Sequence, residues 1–424
     1  MLIMKAPDVL VIGAGPCGSF TAFNIASQGF EVLLCEEHNE VGKPTHCTGH
    51  ASIGGFKKIG ISIPKSIIQN EVHGAIVYPP NEREFLIERR DPVSTVIDRN
   101  SFDKYLSKLA VEKGTQLLLN TKVQSLLIRK NLAKVVLMNN EKRMEVFPKL
   151  VIDAEGSSGD VLRNSGFPAP KRSACIIGIN ALMDKVEAFD ERIVEVYLSQ
   201  KYAPNFFAWI VPIRGGMAKV GLGISEGNPL KFFELFTKRH PIASKKLRGS
   251  KTLSLTMHTI PLEGGIARTY HEGLLVVGDS ASQVKPTTGG GITFGLICSK
   301  IASKVACEAL KANDCSQKFL ANYQKSWKKS IGLELYFMKK FRNFMNSLSD
   351  KEIDKMIKKA SALNLETLIS KTGDMDYQGS SFLKVLWHPS MLAFLFHLIF
   401  KFFDKKGFNF SSNHRRSPSQ PELL

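Results

Sequence analysis

The sequence predicts an α/β protein: a Rossmann-like nucleotide-binding domain, interrupted by a β-sheet domain and followed by a helical C-terminal region. Three observations predict this. Gly13, Gly15 and Gly18 form GxGxxG between the apolar run Asp8–Ile12 and a helix-forming stretch that opens at Pro16. Between about residues 175 and 260, five apolar runs separated by turn residues read as strands. From Gln317 on, apolar residues recur every three or four positions, the period of a helix face.

The N-terminal unit reads as strand (Asp8–Ile12), glycine turn, helix (Pro16 to about Gln28, closed by Gly29) and second strand (Glu31–Cys35), ending at Glu36. The first glycine permits a tight turn, the second lets backbone approach a pyrophosphate, and the third lets helix and strand pack closely. The helix N-terminus offers free N–H groups and the positive end of its dipole to phosphates. Glu36 is placed to accept hydrogen bonds from a ribose diol and would repel a 2′-phosphate. A lone GxGxxG is weak, but in a complete βαβ unit it is a specific signal.

Two later stretches favour FAD over NAD. "LVIDAEGSSGDVLRNSG" puts Asp153, Glu155 and Gly156 just after an apolar run. "LLVVGDSASQVKPTTGGGITFG" puts Gly278 and Asp279 at a strand end and Gly289, Gly290 and Gly291 before a long helix. An aspartate there can bind a ribityl hydroxyl. The glycines leave room for a planar ring, and the helix N-terminus favours the charge that reduced flavin carries. In "VIDRNSFDKYL" Arg99 stands at a strand end, before a helix for which Asn100 or Ser101 is the expected cap.

"EVHGAIVYPPNEREFLIER" reads as a hairpin around Pro79, Pro80 and Asn81. The later strands are "ACIIGINALM", "IVEVYLS", "FFAWIVPI", "MAKVGLGI" and "TLSLTMHTIPL", apolar and aromatic enough to face a greasy ligand. The helical stripe is Leu320, Tyr323, Trp327, Ile331, Leu335, Met338, Phe341 and Met345, with Lys325, Lys328, Lys329, Lys339, Lys340 and Arg342 largely off it. These readings divide the chain into a nucleotide domain (1–70, 95–170 and 262–315), a sheet domain (71–94 and 171–261), a helical region (316–410) and a polar, disordered tail (411–424).

The 57 basic and 39 acidic residues leave a net charge of +18, which suits an anionic partner. No arginine-rich arm or RNA-binding fingerprint accompanies it, so nucleic acid is not expected. The seven cysteines form no CxxC, so neither a disulfide framework nor a zinc ribbon is expected, and a reducing, cytoplasmic compartment is. No stretch reads as a transmembrane helix or signal peptide. "MLAFLFHLIFKFFDKKG", apolar on nearly every side and flanked by lysines, belongs either in the core or in a bilayer interface, so peripheral membrane association is expected.

The loop "KPTHCTGH" holds His46, Cys47 and His50. Adjacent ligands rarely converge on one ion and no zinc spacing is present, so no metal is expected. A lone cysteine is more often a small buried hydrophobe than a catalyst.

At GxGxxG, Asp153–Gly156 and Gly278–Asp279 the sequence resembles the flavoprotein group that includes para-hydroxybenzoate hydroxylase and the geranylgeranyl reductases. In that group an arginine at the position of Arg99 contacts the FAD pyrophosphate region. Pro44, Cys47 and Gly49 match the Pro-x-x-Cys-x-Gly of archaeal geranylgeranyl reductases. Phe207, Trp209 and Pro212 match a degenerate form of their Tyr-x-Trp-x-Phe-Pro element, with Phe for Tyr and Val for Phe. The resemblance covers roughly residues 8–320. It implies an FAD-dependent oxidoreductase that saturates double bonds of geranylgeranyl chains of archaeal-type glycerolipids. Phe207, Trp209 and Pro212 would line the lipid pocket. Cys47 would position substrate or deliver a proton. The electron donor would be external: a nicotinamide, ferredoxin or F420. The alternative with the same FAD motifs is a monooxygenase hydroxylating an aromatic or polyprenyl substrate.

Overall fold

A computed structural model describes residues 2–3, 6–129, 132–187 and 190–381. Its central sheet has the order Tyr270–His271, Leu274–Val276, Leu150–Asp153, Val9–Ile12, Val32–Cys35, Gln116–Leu118. All pairings are parallel except the outermost, between Tyr270–His271 and Leu274–Val276. The first strand lies between the second and the Leu150 strand, so the crevice at the strands' carboxyl ends is a topological switch point. Both faces are covered, which is why the strands are apolar throughout rather than alternating. Val9, Val11, Leu34 and Ile152 pack under the helices Pro16–Ala26 and Ile292–Lys311. Leu10, Ile12, Leu33 and Val151 pack on a second sheet, built mainly from Thr121–Arg129, Leu132–Asn139 and Lys142–Val146.

The first helix starts at Pro16 as expected and stops at Ala26, with Gly29 at φ +86° closing the turn after it. The helix Arg99–Glu112 corrects the expected cap. Asp98, rather than Asn100 or Ser101, accepts the Ser101 N–H at 3.2 Å. Asp98 is the last residue in extended conformation, where a cap belongs.

The second domain is a seven-stranded sheet in the order Thr252–Pro261, Cys175–Met183, Met217–Ile224, Ala208–Ile213, Ile193–Tyr197, Gly74–Tyr78, Phe85–Glu88. All five expected strands are present, and Gly74–Tyr78 pairs with Phe85–Glu88 as the expected hairpin. One face buries Ile179, Ala181, Ile210, Val220 and Leu222 under a helix, Pro229–Arg239, that the sequence analysis did not assign. Asn228 caps it, and Phe233 and Phe236 anchor it. The other face looks towards the nucleotide domain.

In the C-terminal helices Leu320, Tyr323, Trp327, Ile331, Leu335 and Met338 are buried, and the lysines of the opposite face are exposed. Arg342 departs from that pattern. It is buried with its guanidinium 4.1 Å from the Phe206 ring centroid, and burial pushes its pKa down to about 9. Residues 373–381, which follow the helix Leu365–Thr372, cross the loop that carries Gly289–Gly291. They are held there by the Lys285–Asp376 ion pair (2.9 Å), buried on both sides, and by a Thr287–Gln378 hydrogen bond (2.5 Å).

Removing one member of such a pair strands the other's charge in a low-dielectric site. Asp376→Leu should therefore lose about 3 kcal/mol of stability, and Lys285→Met/Asp376→Leu should recover most of it. Chemical denaturation monitored by tryptophan fluorescence checks this, and an undiminished single variant would remove the pair from the stabilising contacts.

Candidate active site

The glycine turn is set by close approach. Gly13 has φ +90°, and a Cβ on it would lie 2.5 Å from the Ala154 carbonyl oxygen. A Cβ on Gly18 would lie 1.9 Å from the Gly13 oxygen. Gly15 has no atom within 4 Å of such a Cβ, so it faces open space at the helix start. Among the described residues no side chain caps that N-terminus, nor the one at Gly291. The two helices lie side by side with the Cys17 side chain in the seam, where Gly278 and Gly295 make room for its sulfur. Burial there pushes the Cys17 thiol up to about 12, so it is a packing group. Both uncapped N-termini thus open on one crevice, where their N–H groups favour anionic oxygens.

Glu36 ends the second strand. Its Oε2 accepts the Ala14 N–H at 2.9 Å, and its Oε1 meets His38 Nδ1 at 2.6 Å. Asp153 ends the Leu150 strand, and its Oδ2 is buried without a hydrogen-bond partner among the described residues. Burial, then the neighbouring Glu155, raises its pKa well above the usual carboxylate range. Glu155 itself caps the helix Asp160–Asn164 through the Val161 and Leu162 N–H groups. Gly156, at φ +87°, also fronts open space and donates its N–H to Ser280 Oγ at 2.9 Å. Asp279 lies beside Gly291, with Oδ1 2.9 Å from where a Cβ would stand. A Cβ on Gly290 would meet the Lys285 side chain at 2.7 Å. Two uncapped helix starts, an acceptor at the second strand's end and an orphaned buried carboxylate fit a dinucleotide with a polar linker.

The residues of the Pro44–Gly49 loop go separate ways. His46 stacks on His258 of the edge strand, ring centroids 5.4 Å apart. His50 Nε2 meets Ser94 Oγ at 2.7 Å. Burial, followed by Lys285 and Lys219, pushes His50 down to about 4. Among the described residues no three His, Cys, Asp or Glu side chains gather as a metal site. Cys47 Sγ accepts the Gly49 N–H at 3.3 Å and lies close enough to Arg99 to favour its charge. Arg99 also grips Asp103 at 3.0 and 3.1 Å. Burial opposes its charge, but Asp103 and Cys47 more than offset this, and its pKa is raised.

Across from this loop lies the inner face of the seven-stranded sheet. Trp209 pairs with Gly221 and lies flat, since a Cβ on Gly221 would meet the indole at 2.5 Å. Phe206 lies over Gly223 in the same way. Phe207 stacks on Phe206 (4.2 Å) and meets Trp209 edge-on (5.8 Å). Pro212 does not join them, because strand alternation turns it with Ala208 and Ile210 to the opposite face. The nitrogen of Trp209, Asn180 Oδ1 and the Nδ1 atoms of His46 and His258 are buried without hydrogen-bond partners among the described residues.

The sequence analysis missed Lys219. It pairs with Val211 and Leu182, two residues along the strand from Gly221, so it shares the Trp209 face. Its Nζ donates to the Thr48 carbonyl at 2.8 Å and the Ile97 carbonyl at 3.2 Å. It is 8% exposed, and no carboxylate forms an ion pair with it among the described residues. Burial presses its pKa down to about 8, against the favourable effect of Cys47 and Asp98. Cys47 therefore sits beside two buried cations, Arg99 and Lys219.

Gly18→Ala forces helix and strand apart, so the purified protein should lose its flavin absorbance, and Asp279→Ala should weaken FAD retention; wild-type FAD content in both would remove this crevice as the cofactor site. Lys219 titrates near 8 when folded and at 10.5 when free, so the unfolded chain holds more protons between those values and stability should rise with pH across that window. Lys219→Met should be the more stable form at neutral pH, its advantage shrinking as pH rises; a constant difference in denaturation midpoint would show that Lys219 is not buried as a cation.

A family model described as FAD binding domain matches residues 6–324. Digeranylgeranylglycerophospholipid reductase 2 of Methanothermobacter thermautotrophicus is 33% identical over 395 residues, covering 92% of this chain and 98% of the relative. The digeranylgeranylglycerophospholipid reductase of Methanocaldococcus jannaschii is 31% identical over 350 residues, 82% of this chain and 88% of the relative. A geranylgeranyl bacteriochlorophyll reductase-like protein from Thermoplasma acidophilum superposes with a TM-score of 0.83 at 26% identity, over 94% of this chain and all of that one. The flavin-dependent brominase Bmp2 shares the fold alone, at 17% identity and a TM-score of 0.71 over 95% of this chain and 100% of that one. The chain belongs to the digeranylgeranylglycerophospholipid reductase family, and residues 6–324 of it match an FAD binding domain.

Proposed function

We propose that this protein saturates double bonds in the geranylgeranyl chains of archaeal-type glycerolipids, with FAD as its cofactor and an external electron donor. The observation that carries the reading is the meeting of an aromatic, apolar sheet face with a loop that holds Cys47 between Arg99 and Lys219. An isolated alkene has no carbonyl to accept charge, so its reduction needs close positioning, exclusion of water and a well-placed proton. Gly13, Gly15, Gly18, Glu36, Arg99, Asp153, Gly156, Gly278, Asp279, Gly290 and Gly291 are the residues we assign to holding FAD. When bound and reduced, FAD supplies the hydride that adds to one alkene carbon.

The other carbon takes a proton, and the chain's own groups provide it. Phe206, Phe207 and Trp209 exclude water and turn aromatic faces to carbon that becomes electron-poor. Cys47, on the loop across from that face, is the group we assign as proton donor. Lys219 fixes its loop through the Thr48 and Ile97 carbonyls and replenishes the proton. A lysine poised near 8 carries a transferable proton at neutral pH, which an ordinary lysine gives up far less readily.

Membrane contact is part of this proposal, since the substrate is a bilayer lipid. Among the described residues no helix is long and apolar enough to cross a membrane. The C-terminal segment "MLAFLFHLIFKFFDKKG", expected to lie in the core or a bilayer interface, falls outside the described residues.

Mass spectrometry of lipids after co-expression with an unsaturated archaeal-lipid pathway tests the activity: saturated chains should accumulate, and unchanged lipids would end the reading. With purified enzyme, the rate should fall as pH rises through about 8, where Lys219 loses its proton. Lys219→Met should cost about 10²-fold in kcat with little change in KM and should abolish that limb of the profile. Cys47→Ala should lose more rate than Cys47→Ser while both keep FAD. A Lys219→Met enzyme with the wild-type profile would assign the proton to another group.

A further inference from the structure

The strand Thr252–Pro261 pairs on one side only, with Cys175–Met183, and forms an edge of the sheet. Leu253, Leu255 and Met257 alternate onto its outer face and are 54%, 38% and 44% exposed. Ile177, opposite Thr259 on the neighbouring strand, adds a fourth exposed apolar side chain. The helix Pro229–Arg239 packs on this same face but leaves these residues uncovered. A long apolar edge is a liability that soluble proteins usually blunt with charges or a bulge in the strand itself. Here the register shifts at one point, where Leu253 is the extra residue opposite Leu182 and Met183, but no charge interrupts Leu253, Leu255 and Met257, and the charges stand at the ends. Lys245, Arg248 and Lys251 are exposed before the strand, and Arg172 precedes the paired one. From Ser225 to Thr252 the chain carries seven basic residues and two acidic ones.

We propose that this edge strand is the surface that docks on an anionic lipid bilayer, Leu253, Leu255, Met257 and Ile177 entering the interface while the flanking cations meet headgroup phosphates. The proposal rests on the reading that the substrate is a membrane lipid. Charge selects the bilayer over a second copy of the chain. Antiparallel pairing of two such edges would bring Lys251 of one copy to the end of the strand where Lys171 and Arg172 outnumber Glu263 of the other, so the charges there do not favour it. A bilayer presents phosphates at both ends and hydrocarbon between them.

The inner side of the same strand explains why docking belongs there. Ser254 and Thr256 line a cleft of about 510 Å³ together with His38, Lys43, Pro44 and Asn100. His258 of this strand stacks on His46, next to Cys47. One strand therefore separates the docking face from the loop that carries Cys47. A prenyl chain leaving the bilayer at this edge would need to travel only about the width of a strand, ~5 Å, to reach the cleft.

Flotation of the full-length FAD-loaded protein tests this, with phosphatidylcholine vesicles with or without phosphatidylglycerol. Wild type should float with the anionic vesicles. Leu253→Glu/Met257→Glu, which changes only exposed side chains and should keep its flavin spectrum, should float about tenfold less. Arg248→Glu/Lys251→Glu should weaken flotation on the anionic vesicles only. Leu333→Glu/Tyr336→Glu, at exposed apolar residues elsewhere, should float as wild type does. Equal flotation of Leu253→Glu/Met257→Glu and wild type would overturn the proposal, as would a wild type that stays off the vesicles. A dimer in sedimentation velocity that the Leu253→Glu/Met257→Glu variant disperses would overturn it too, by giving the edge to a second copy. Activity on detergent-dispersed lipid separates the two readings: a wild type that floats but reduces nothing leaves the docking surface standing and removes the proposed reaction.

Discussion

The contact on which the rest of the molecule depends is the approach of the first helix to the central sheet. Gly18 touches the carbonyl of Gly13 so closely that any side chain would drive the two apart. That approach places Cys17 in the seam with the helix Ile292–Lys311, where Gly278 and Gly295 yield the space for its sulfur. Two helix N-termini then open at one end of one mainly parallel sheet, with no side chain among the described residues to cap them. Unsatisfied N–H groups are costly unless water or a ligand takes them, so the same packing that stabilises the domain prepares an anion site.

The second domain is arranged around the opposite need. Its inner face is kept flat by glycines at 221 and 223, over which Trp209 and Phe206 lie. The result is a largely apolar floor that carries one cation among the described residues, Lys219. Burying an ammonium without a carboxylate partner is unfavourable, and two backbone carbonyls compensate only in part, which is why its proton is held loosely. A cation of this kind is poor architecture and good chemistry. Arg99 is the contrast: it has a bidentate carboxylate and stays charged, a fixed positive group rather than a proton source.

The C-terminal region ties the two halves together. Arg342 reaches back over Phe206, and Asp376 closes on Lys285 beside the glycines at 289–291. Each puts a charge into a site whose compensation among the described residues comes from a different part of the chain. Arg342 makes its contact when the C-terminal region docks on the sheet domain, and Asp376 when it docks on the nucleotide domain.

The sequence by itself determined the elements whose signals are local. The glycine turn, the five strands of the sheet domain, the hairpin at Pro79–Pro80 and the stripe from Leu320 to Met338 depend on spacing and turn chemistry, which neighbours along the chain decide. The helix at Pro229 escaped notice although Asn228 and Pro229 mark its start, because its apolar face of Phe232, Phe233 and Phe236 is short and sits in a basic run. Tertiary structure alone decided which side of each strand faces the nucleotide domain. In "MAKVGLGI" Lys219 alternates with apolar residues, and alternation alone does not say which side of the strand meets water. Docking of the domains turned that face inward and made Lys219 a buried cation beside Cys47. The same alternation separated Trp209 from Pro212 and left Leu253, Leu255 and Met257 outside. Period two fixes which residues share a face of a strand; only the partner on the other side fixes whether that face meets water, flavin or lipid.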